Sequence, residues 1–266
     1  MVTCLLSSAD RTLAARLEGA DAANGVAFAT AAQQTSPDAA FERIAGGTAI
    51  FAGIGSPMTH AMGIGMSGPV AAAEMERLEL FFRDRGSASL IDLCPMADPS
   101  VIAFVQSRPY RVIEFNNVLA RRIEKDEVFA PVPDVRLISE DEAPVWARVV
   151  SEGFAEYMPV TEEMVSMMMT PCKTCQCWLA GEAPGQAGAA MIVQNGVAVF
   201  SGDATVAPAR RKGWQSALIR ERLAAAQRHG CDLAAASVLP GSGSHRNYER
   251  AGFQLIYMRV NLMREF

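Results

Sequence analysis

Residues 197–215 read VAVFSGDATVAPARRKGWQ, and this stretch decides the fold that the sequence predicts. Its first part is an apolar run typical of a buried strand, and its last residues begin a helical pattern. Backbone N–H groups point outward at the start of a helix, where the helix dipole adds partial positive charge. Gly213 allows close approach to the backbone, while Arg210, Arg211 and Lys212 add full charges. The stretch therefore predicts an anion site, with a solvated basic turn as the alternative.

The elements around this turn are predicted from their periodicity. A long helix is expected over 214–228, a strand over 232–238 and a short helix over 244–250. Asn195-Gly196, between two strand-like runs, is typical of a tight β-hairpin. Near the other end of the chain, Ser36-Pro37 resembles a helix start and predicts a helix over 38–44.

The two halves of the chain show the same order of features. A long helix ends at Gly86 in one half and at Gly230 in the other, and each is followed by a strand and a proline. This order predicts an internal duplication. The alternative is coincidence, because strands and helices separated by Gly and Pro often occur in this order. A length of 266 residues suits two domains of ordinary size. We predict domains at 1–126 and 133–266, joined by a charged segment that contains prolines.

Two motifs make the second half similar to the GNAT family of acetyl-CoA-dependent N-acyltransferases. Arg210-x-x-Gly213 follows a strand and resembles the phosphate-loop signature of that family, although Gln215 stands where a small residue is usual. The run 248–253, YERAGF, resembles the family's later Tyr-Glu-Lys/Arg-x-Gly-Phe signature. The resemblance covers about residues 134–266. It implies an α/β (α+β) protein with two GNAT-like domains, each a mixed, mostly antiparallel central sheet flanked by helices.

The resemblance also implies a site in the second half, with acetyl-CoA as cosubstrate. Tyr248 stands where the family often has a general acid, and Asp203 is the nearest acidic residue for a general base, with Glu156 and Glu182 as alternatives. The strand end would pair with the pantetheine arm and the loop would hold the pyrophosphate. The expected cosubstrate-binding residues are Thr205, Val206, Arg210, Arg211, Lys212, Gly213, Trp214, Gln215, Ser216 and Asn247.

The expected activity is transfer of an acetyl group to a primary amine of a small molecule or peptide, by direct attack on the thioester. The alternative is an acyl-CoA-binding sensor or scaffold protein that transfers nothing. The first half resembles the same fold in degenerate form, because its turn at 66–70 contains no Arg or Lys. We therefore expect a tandem repeat with one active site.

Two further motifs are weaker. Residues 63–68, GIGMSG, have the GxGxxG spacing of a dinucleotide site, which needs an acidic residue about 20 residues later at the end of a second strand. Glu76 and Glu79 fall inside the predicted helix and Pro69 stands where that helix starts, so a glycine-rich strand of the degenerate half is the better interpretation. Cys172, Cys175 and Cys177 lack the second ligand pair of a zinc site. Ordinary thiols at the start of a strand are the preferred interpretation, so no metal is predicted; a redox-sensitive loop and a three-cysteine site completed by a distant ligand or a partner are the alternatives.

Composition restricts the partners. A net charge of −5 argues against a general nucleic-acid binder, which would be basic. No apolar run approaches the length of a membrane span. Six cysteines are too few for a disulfide scaffold, and three of them, Cys4, Cys94 and Cys231, are widely spaced, which favours a reduced cytoplasm. We expect an amine acceptor as partner, no nucleic acid, no membrane and, as one option, a homodimer.

Overall fold

The chain forms two compact units in the computed structural model, which describes residues 10–266. The first unit contains residues 10–118 and 255–266. The second unit contains residues 119–254.

Strands and α-helices are numbered along the described residues. The strands are β1 (Ala40–Ile44), β2 (Gly47–Phe51), β3 (His60–Met62), β4 (Ser89–Leu93), β5 (Arg111–Arg122), β6 (Val135–Leu137), β7 (Gln176–Ala180), β8 (Ala187–Gln194), β9 (Val197–Thr205), β10 (Leu233–Val238) and β11 (Gln254–Arg264). The helices are α1 (Arg11–Ala32), α2 (Ala72–Arg83), α3 (Pro99–Gln106), α4 (Ala143–Gly153), α5 (Glu162–Met168), α6 (Trp214–Arg228) and α7 (Gly243–Arg250). Within residues 10–266, none of these helices combines the length and apolar character that a membrane crossing requires.

In both units a run of antiparallel strand pairs leads into one parallel pair. In the first unit β1–β2, β2–β3 and β4–β11 are antiparallel and β3–β4 is parallel. In the second unit β6–β7, β7–β8 and β8–β9 are antiparallel and β9–β10 is parallel. A crossover helix connects each parallel pair, α2 in the first unit and α6 in the second. The predicted fold class, mixed and mostly antiparallel sheets flanked by helices, is confirmed; the internal duplication stays a prediction.

The division into units differs from the predicted domains at 1–126 and 133–266. Residues 260–264 of β11 pair with β4, so the end of the chain completes the sheet of the first unit. The first unit also ends inside β5, at Val118, and not in the charged segment. The order of elements is visible in a sequence, whereas the partner of a terminal strand is not. Residues 1–9 of the predicted first domain lie outside the described residues.

The helix predicted over 38–44 is wrong, because this segment forms strand β1. Phe41 pairs with Ile50 of β2 in an antiparallel hairpin. The turn uses Ala45 and Gly46, both with positive φ, of 54° and 75°. Such a two-residue turn matches the twist of the strands it joins. Alanine seldom adopts this conformation, so the sequence carries no clear hairpin signal here.

Alternate residues of the central strands build the two cores of the second unit. In β7, Trp178 and Ala180 belong to the cluster beneath α6, whereas Cys177 and Leu179 belong to the cluster beneath α4. This is the alternation that a strand buried on both faces requires. Trp146 of α4 is fully buried, and its indole N–H donates to backbone carbonyls of β7 and β8.

A buried ionic cluster holds β11 in the first unit. Arg259 of β11 donates to Glu18 of α1 at 2.8 Å and to Asp21 at 2.9 Å. The same guanidinium lies 3.7 Å from Asp92 of β4. Asp92 in turn lies 2.9 Å from Nδ1 of His60. Removal of one partner from such a cluster leaves an uncompensated buried charge, which is costly.

His60 makes the stability of the first unit depend on pH. Burial alone would lower the pKa of His60, but the carboxylate of Asp92 outweighs burial and raises it above 6.5. A raised pKa in the folded state gives stability that is complete below pH 6.5 and is lost as the pH rises through the folded pKa. We expect His60→Gln to cost about 1.5–3 kcal/mol at pH 5.5, as for other hydrogen bonds to charged groups, and less at pH 9.

Calorimetric unfolding of both proteins at the two pH values measures this difference. His229→Gln is the control, since His229 lies exposed at the end of α6 and its side-chain partner, Gln176 at 3.2 Å, carries no charge. A cost of His60→Gln that is equal at both pH values would contradict the expectation.

Candidate functional site

A groove of about 660 Å³ opens in the second unit where β9 separates from β10. The two strands pair only as far as Phe200 and Ala236, so the backbone of residues 201–205 lacks a β10 partner. All the predicted site residues line this groove except Val206, Lys212 and Tyr248. Residues from the ends of α4 and α6 and from α7 form its other walls.

A β-bulge in β9 shapes the floor of the groove. One residue of β8, Ala189, lies opposite two residues of β9, Gly202 and Asp203. Gly202 has a φ of 66°, which favours glycine. Bulges turn a side chain out of the ordinary alternation and are frequent beside active sites. Here the bulge brings the carboxylate of Asp203 to the groove wall.

Two left-handed residues complete the turn from β9 to α6. Arg211 has a φ of 65°, and Gly213, directly before α6, has a φ of 86°. A Cβ atom added at Gly213 would meet no atom within 4 Å. The place of the missing side chain is therefore open, directly before the N-terminus of α6. This is the geometry of an anion site at a helix N-terminus.

The three basic residues of the turn have different surroundings. Arg210 donates to the carbonyl oxygens of Thr205 and Gly153, both at 3.3 Å, and pairs with the carboxylate of Glu156. Its guanidinium thus joins the end of α4 to the end of β9. Arg211 and Lys212 are exposed and form no hydrogen bond or ion pair with the rest of residues 10–266. Their charges remain available to a ligand.

Gln186 accepts hydrogen bonds from both ends of the turn between β9 and α6. The backbone N–H of Val206 donates to the carbonyl oxygen of Gln186 at 3.0 Å. The indole N–H of Trp214 donates to the Gln186 side-chain oxygen, also at 3.0 Å. The same residue therefore fixes the end of β9 and the start of α6.

Tyr248 and Asp203, the two predicted catalytic residues, bind each other. The Tyr248 hydroxyl donates to Oδ2 of Asp203 at 2.7 Å. Arg222 of α6 donates to the same oxygen at 3.1 Å and also pairs with Oδ1. Its side chain is 0% exposed, and that of Asp203 is 10% exposed. The three side chains join β9, α6 and α7 beneath the groove.

This network makes both residues less available for proton transfer. Burial raises the pKa of Tyr248 well above its ordinary value of 10.0; nearby Asp203 raises it further and Arg222 opposes the shift. A phenol that resists ionisation is a poor proton donor to a thiolate. Both oxygens of Asp203 already accept hydrogen bonds. The geometry favours a structural role for the pair, and their predicted catalytic roles stay predictions.

Arg222 was not singled out by the sequence pattern. It lies one turn after Leu218 and directly before Leu223, both buried on the inner face of α6. A charged residue at a position that the helical period assigns to the core is the signal that could have revealed it.

A chain of side-chain hydrogen bonds connects the start of α6 with α7. Gln215 donates to the Ser244 hydroxyl at 2.7 Å and accepts from Asn247 at 2.7 Å. Arg250 donates to Asn247 at 3.0 Å. Gln215, the departure from the usual loop signature, thus acts as a clamp between the two helices along one wall of the groove.

The cysteine cluster lies outside the groove, in the core beneath α4. Cys172 and Cys175 are half-buried and Cys177 is buried. A hydrogen bond from Cys177 lowers the pKa of the Cys172 thiol, whereas burial raises that of Cys175 to about 11. Across residues 10–266, no three His, Cys, Asp or Glu side chains are grouped as metal ligands.

The corresponding turn of the first unit, between β3 and α2, is occupied by side chains of that unit. The backbone N–H of Gly63 donates to Glu18 at 3.1 Å. That of Val70 donates to the Ser100 hydroxyl at 2.9 Å. The GxGxxG segment therefore presents fewer free donors than the open turn at Gly213.

Solved structures with similar folds include N-acetyltransferases. A GCN5-related N-acetyltransferase from Kribbella flavida is 16% identical, with 91% of this chain and 96% of that chain covered and a TM-score of 0.64. Another from Sphaerobacter thermophilus is 19% identical, with 73% and 67% covered and a TM-score of 0.56. A tandem GNAT protein from the clavulanic acid biosynthesis pathway is 15% identical, with 71% and 67% covered and a TM-score of 0.50.

No protein-family model and no curated protein matches the sequence. The likeness in structure extends over most of the chain despite low identity. The chain therefore has the fold of the GCN5-related N-acetyltransferases, as the two sequence motifs predict.

Proposed function

We propose that this protein is an acyl-CoA-dependent N-acyltransferase that transfers an acetyl group to a primary amine of a small molecule or peptide. The observation that carries the proposal is the groove in the second unit, where an unpaired strand end and an open helix N-terminus meet. The cysteines of the described residues are free thiols, which suits a reducing compartment such as the cytoplasm.

The groove fits acetyl-CoA in two respects. The open space at Gly213, beside the free charges of Arg211 and Lys212, suits a diphosphate. The backbone of residues 201–205, which β10 does not pair with, offers N–H and C=O groups to the amides of a pantetheine arm. When bound, acetyl-CoA supplies an activated acyl group.

Attack of the amine on the thioester forms the C–N bond and breaks the C–S bond, and the departing CoA thiolate takes a proton from solvent. We assign the other proton transfer, acceptance of the amine proton, to Glu156. Two carboxylates line the groove, Asp203 and Glu156. Asp203 is held by buried Arg222, whereas the side chain of Glu156 is 59% exposed. An exposed carboxylate attracts a cationic amine and accepts its proton, directly or through one water molecule. Its ion pair with Arg210 keeps it at the end of β9.

A thiol-release assay with acetyl-CoA and a panel of amines, amino acids and peptides tests this function. We expect thiol release that depends on an acceptor, and we expect Glu156→Gln to lower kcat by about 100-fold or more, the usual contribution of a general base. Glu182→Gln is the control, because Glu182 is an exposed carboxylate that does not line the groove. Equal kcat values in the two variants would remove the role of Glu156.

The Tyr248 hydroxyl donates its hydrogen bond to Asp203, which leaves both predicted catalytic residues occupied. This observation favours a second candidate function, an acyl-CoA-binding sensor or scaffold protein that transfers nothing. That function predicts saturable binding of acetyl-CoA and no thiol release with any amine. The same assay, combined with a binding measurement, separates the two functions.

A further inference from the structure

Three arginines on one side of the groove carry charge that no carboxylate balances. Arg211 lies at the turn before α6, and Arg246 and Arg250 lie on α7. None of the three forms an ion pair with the rest of residues 10–266. The two groove carboxylates are already paired, Asp203 with a buried arginine and Glu156 with Arg210. This unbalanced positive charge suits an anionic group of a ligand and not a cationic amine.

Arg246 and Arg250 are placed to act together. They are four residues apart on α7 and therefore project from the same face of the helix. Arg250 donates to Asn247 at 3.0 Å, and Asn247 donates to Gln215 at 2.7 Å. This chain fixes the arginine face of α7 beside the start of α6. Arg246 donates to the carbonyl oxygen of Gly241 at 2.7 Å, which holds its guanidinium at the N-terminal end of α7.

We propose that Arg246 and Arg250 bind the 3′-phosphate of CoA, so that the groove discriminates CoA from 3′-dephospho-CoA. This inference rests on the proposed function, in which the turn at Gly213 takes the diphosphate. CoA carries one further phosphate, a monoester on the ribose, with a charge near −2 at neutral pH. Arginine is suited to such a group, because its planar fork donates two hydrogen bonds to phosphate oxygens. The two guanidiniums of α7 supply two such forks.

Isothermal titration of CoA and of 3′-dephospho-CoA into the full chain tests this assignment. We expect the unmodified protein to bind CoA at least about tenfold more tightly, and the preference to shrink as salt is added. In the double variant Arg246→Gln, Arg250→Gln the preference should fall to about twofold or less, with the dissociation constant of dephospho-CoA unchanged. Arg220→Gln is the control, since Arg220 lies exposed on α6 outside the groove. Thermal melting confirms that the double variant is folded.

The outcomes separate the two proposals. Equal binding of the two nucleotides by the unmodified protein, or a preference that the double variant retains, overturns the assignment and leaves the proposed function standing. If neither nucleotide binds at millimolar concentration, both the assignment and the proposed function fail.

Discussion

Replacing Arg222 with methionine is expected to lower the free energy of unfolding of the second unit by about 3–5 kcal/mol. The guanidinium is fully buried and pairs with Asp203, and it also donates to the carbonyl oxygen of Ala190 at 3.1 Å. Methionine fills much of the same volume but leaves the Asp203 carboxylate with a single donor, the Tyr248 hydroxyl. A carboxylate left nearly unpaired in a low-dielectric environment accounts for the cost.

Tryptophan fluorescence during urea unfolding measures this change in the second unit alone. All three tryptophans, Trp146, Trp178 and Trp214, belong to that unit. Arg220→Met is the matched control on the exposed face of the same helix, and its effect should stay within about 0.5 kcal/mol. A loss below about 1 kcal/mol for Arg222→Met would show that the ionic network contributes little to the fold.

Replacing Gly213 with valine is expected to weaken acetyl-CoA binding by at least about tenfold, equivalent to about 1.4 kcal/mol. The side chain would project from the turn where the open space faces the start of α6. Valine at a φ of 86° is also strained, which should destabilise the fold by about 1–3 kcal/mol. The two effects need to be separated.

Gly230→Val provides that separation. Gly230, at the other end of α6, has a φ of 72°, and a Cβ there would also meet no atom within 4 Å. The backbone strain is therefore similar, but Gly230 does not line the groove. Isothermal titration should show weaker binding for Gly213→Val and nearly unchanged binding for Gly230→Val. A similar loss in both variants would attribute the effect to the fold and not to the ligand.

Elements that are specified locally could be predicted from the sequence. The strand over 197–205, the helix over 214–228 and the hairpin at Asn195-Gly196 agree with the structure in place and type. Each has a strong periodic pattern or a turn signature of its own. The turn from β9 to α6 was predictable for the same reason, and most of the predicted site residues line one groove.

Features that depend on distant pairing could not be predicted. The strand β1 resembled a helix because its hairpin turn at Ala45 has no signature. The pairing of β11 with β4 joins segments that are far apart in the chain. The bulge at Gly202 is defined only by its register with β8, and Arg222 reaches Asp203 only because α6 packs on β9. Local sequence preferences do not specify these contacts. The contacts nevertheless determine which carboxylate of the groove remains accessible.

The central claim is that the groove at the start of α6 binds an acyl-CoA. Isothermal titration of acetyl-CoA into the full chain tests it most directly, with Gly213→Val titrated in parallel. The account predicts saturable binding at one site per chain, because the N–H groups of Gly63 and Val70 in the corresponding turn of the first unit already donate to side chains of that unit. It also predicts that Gly213→Val weakens this binding. No heat of binding at millimolar acetyl-CoA, or two equivalent sites per chain, would contradict it.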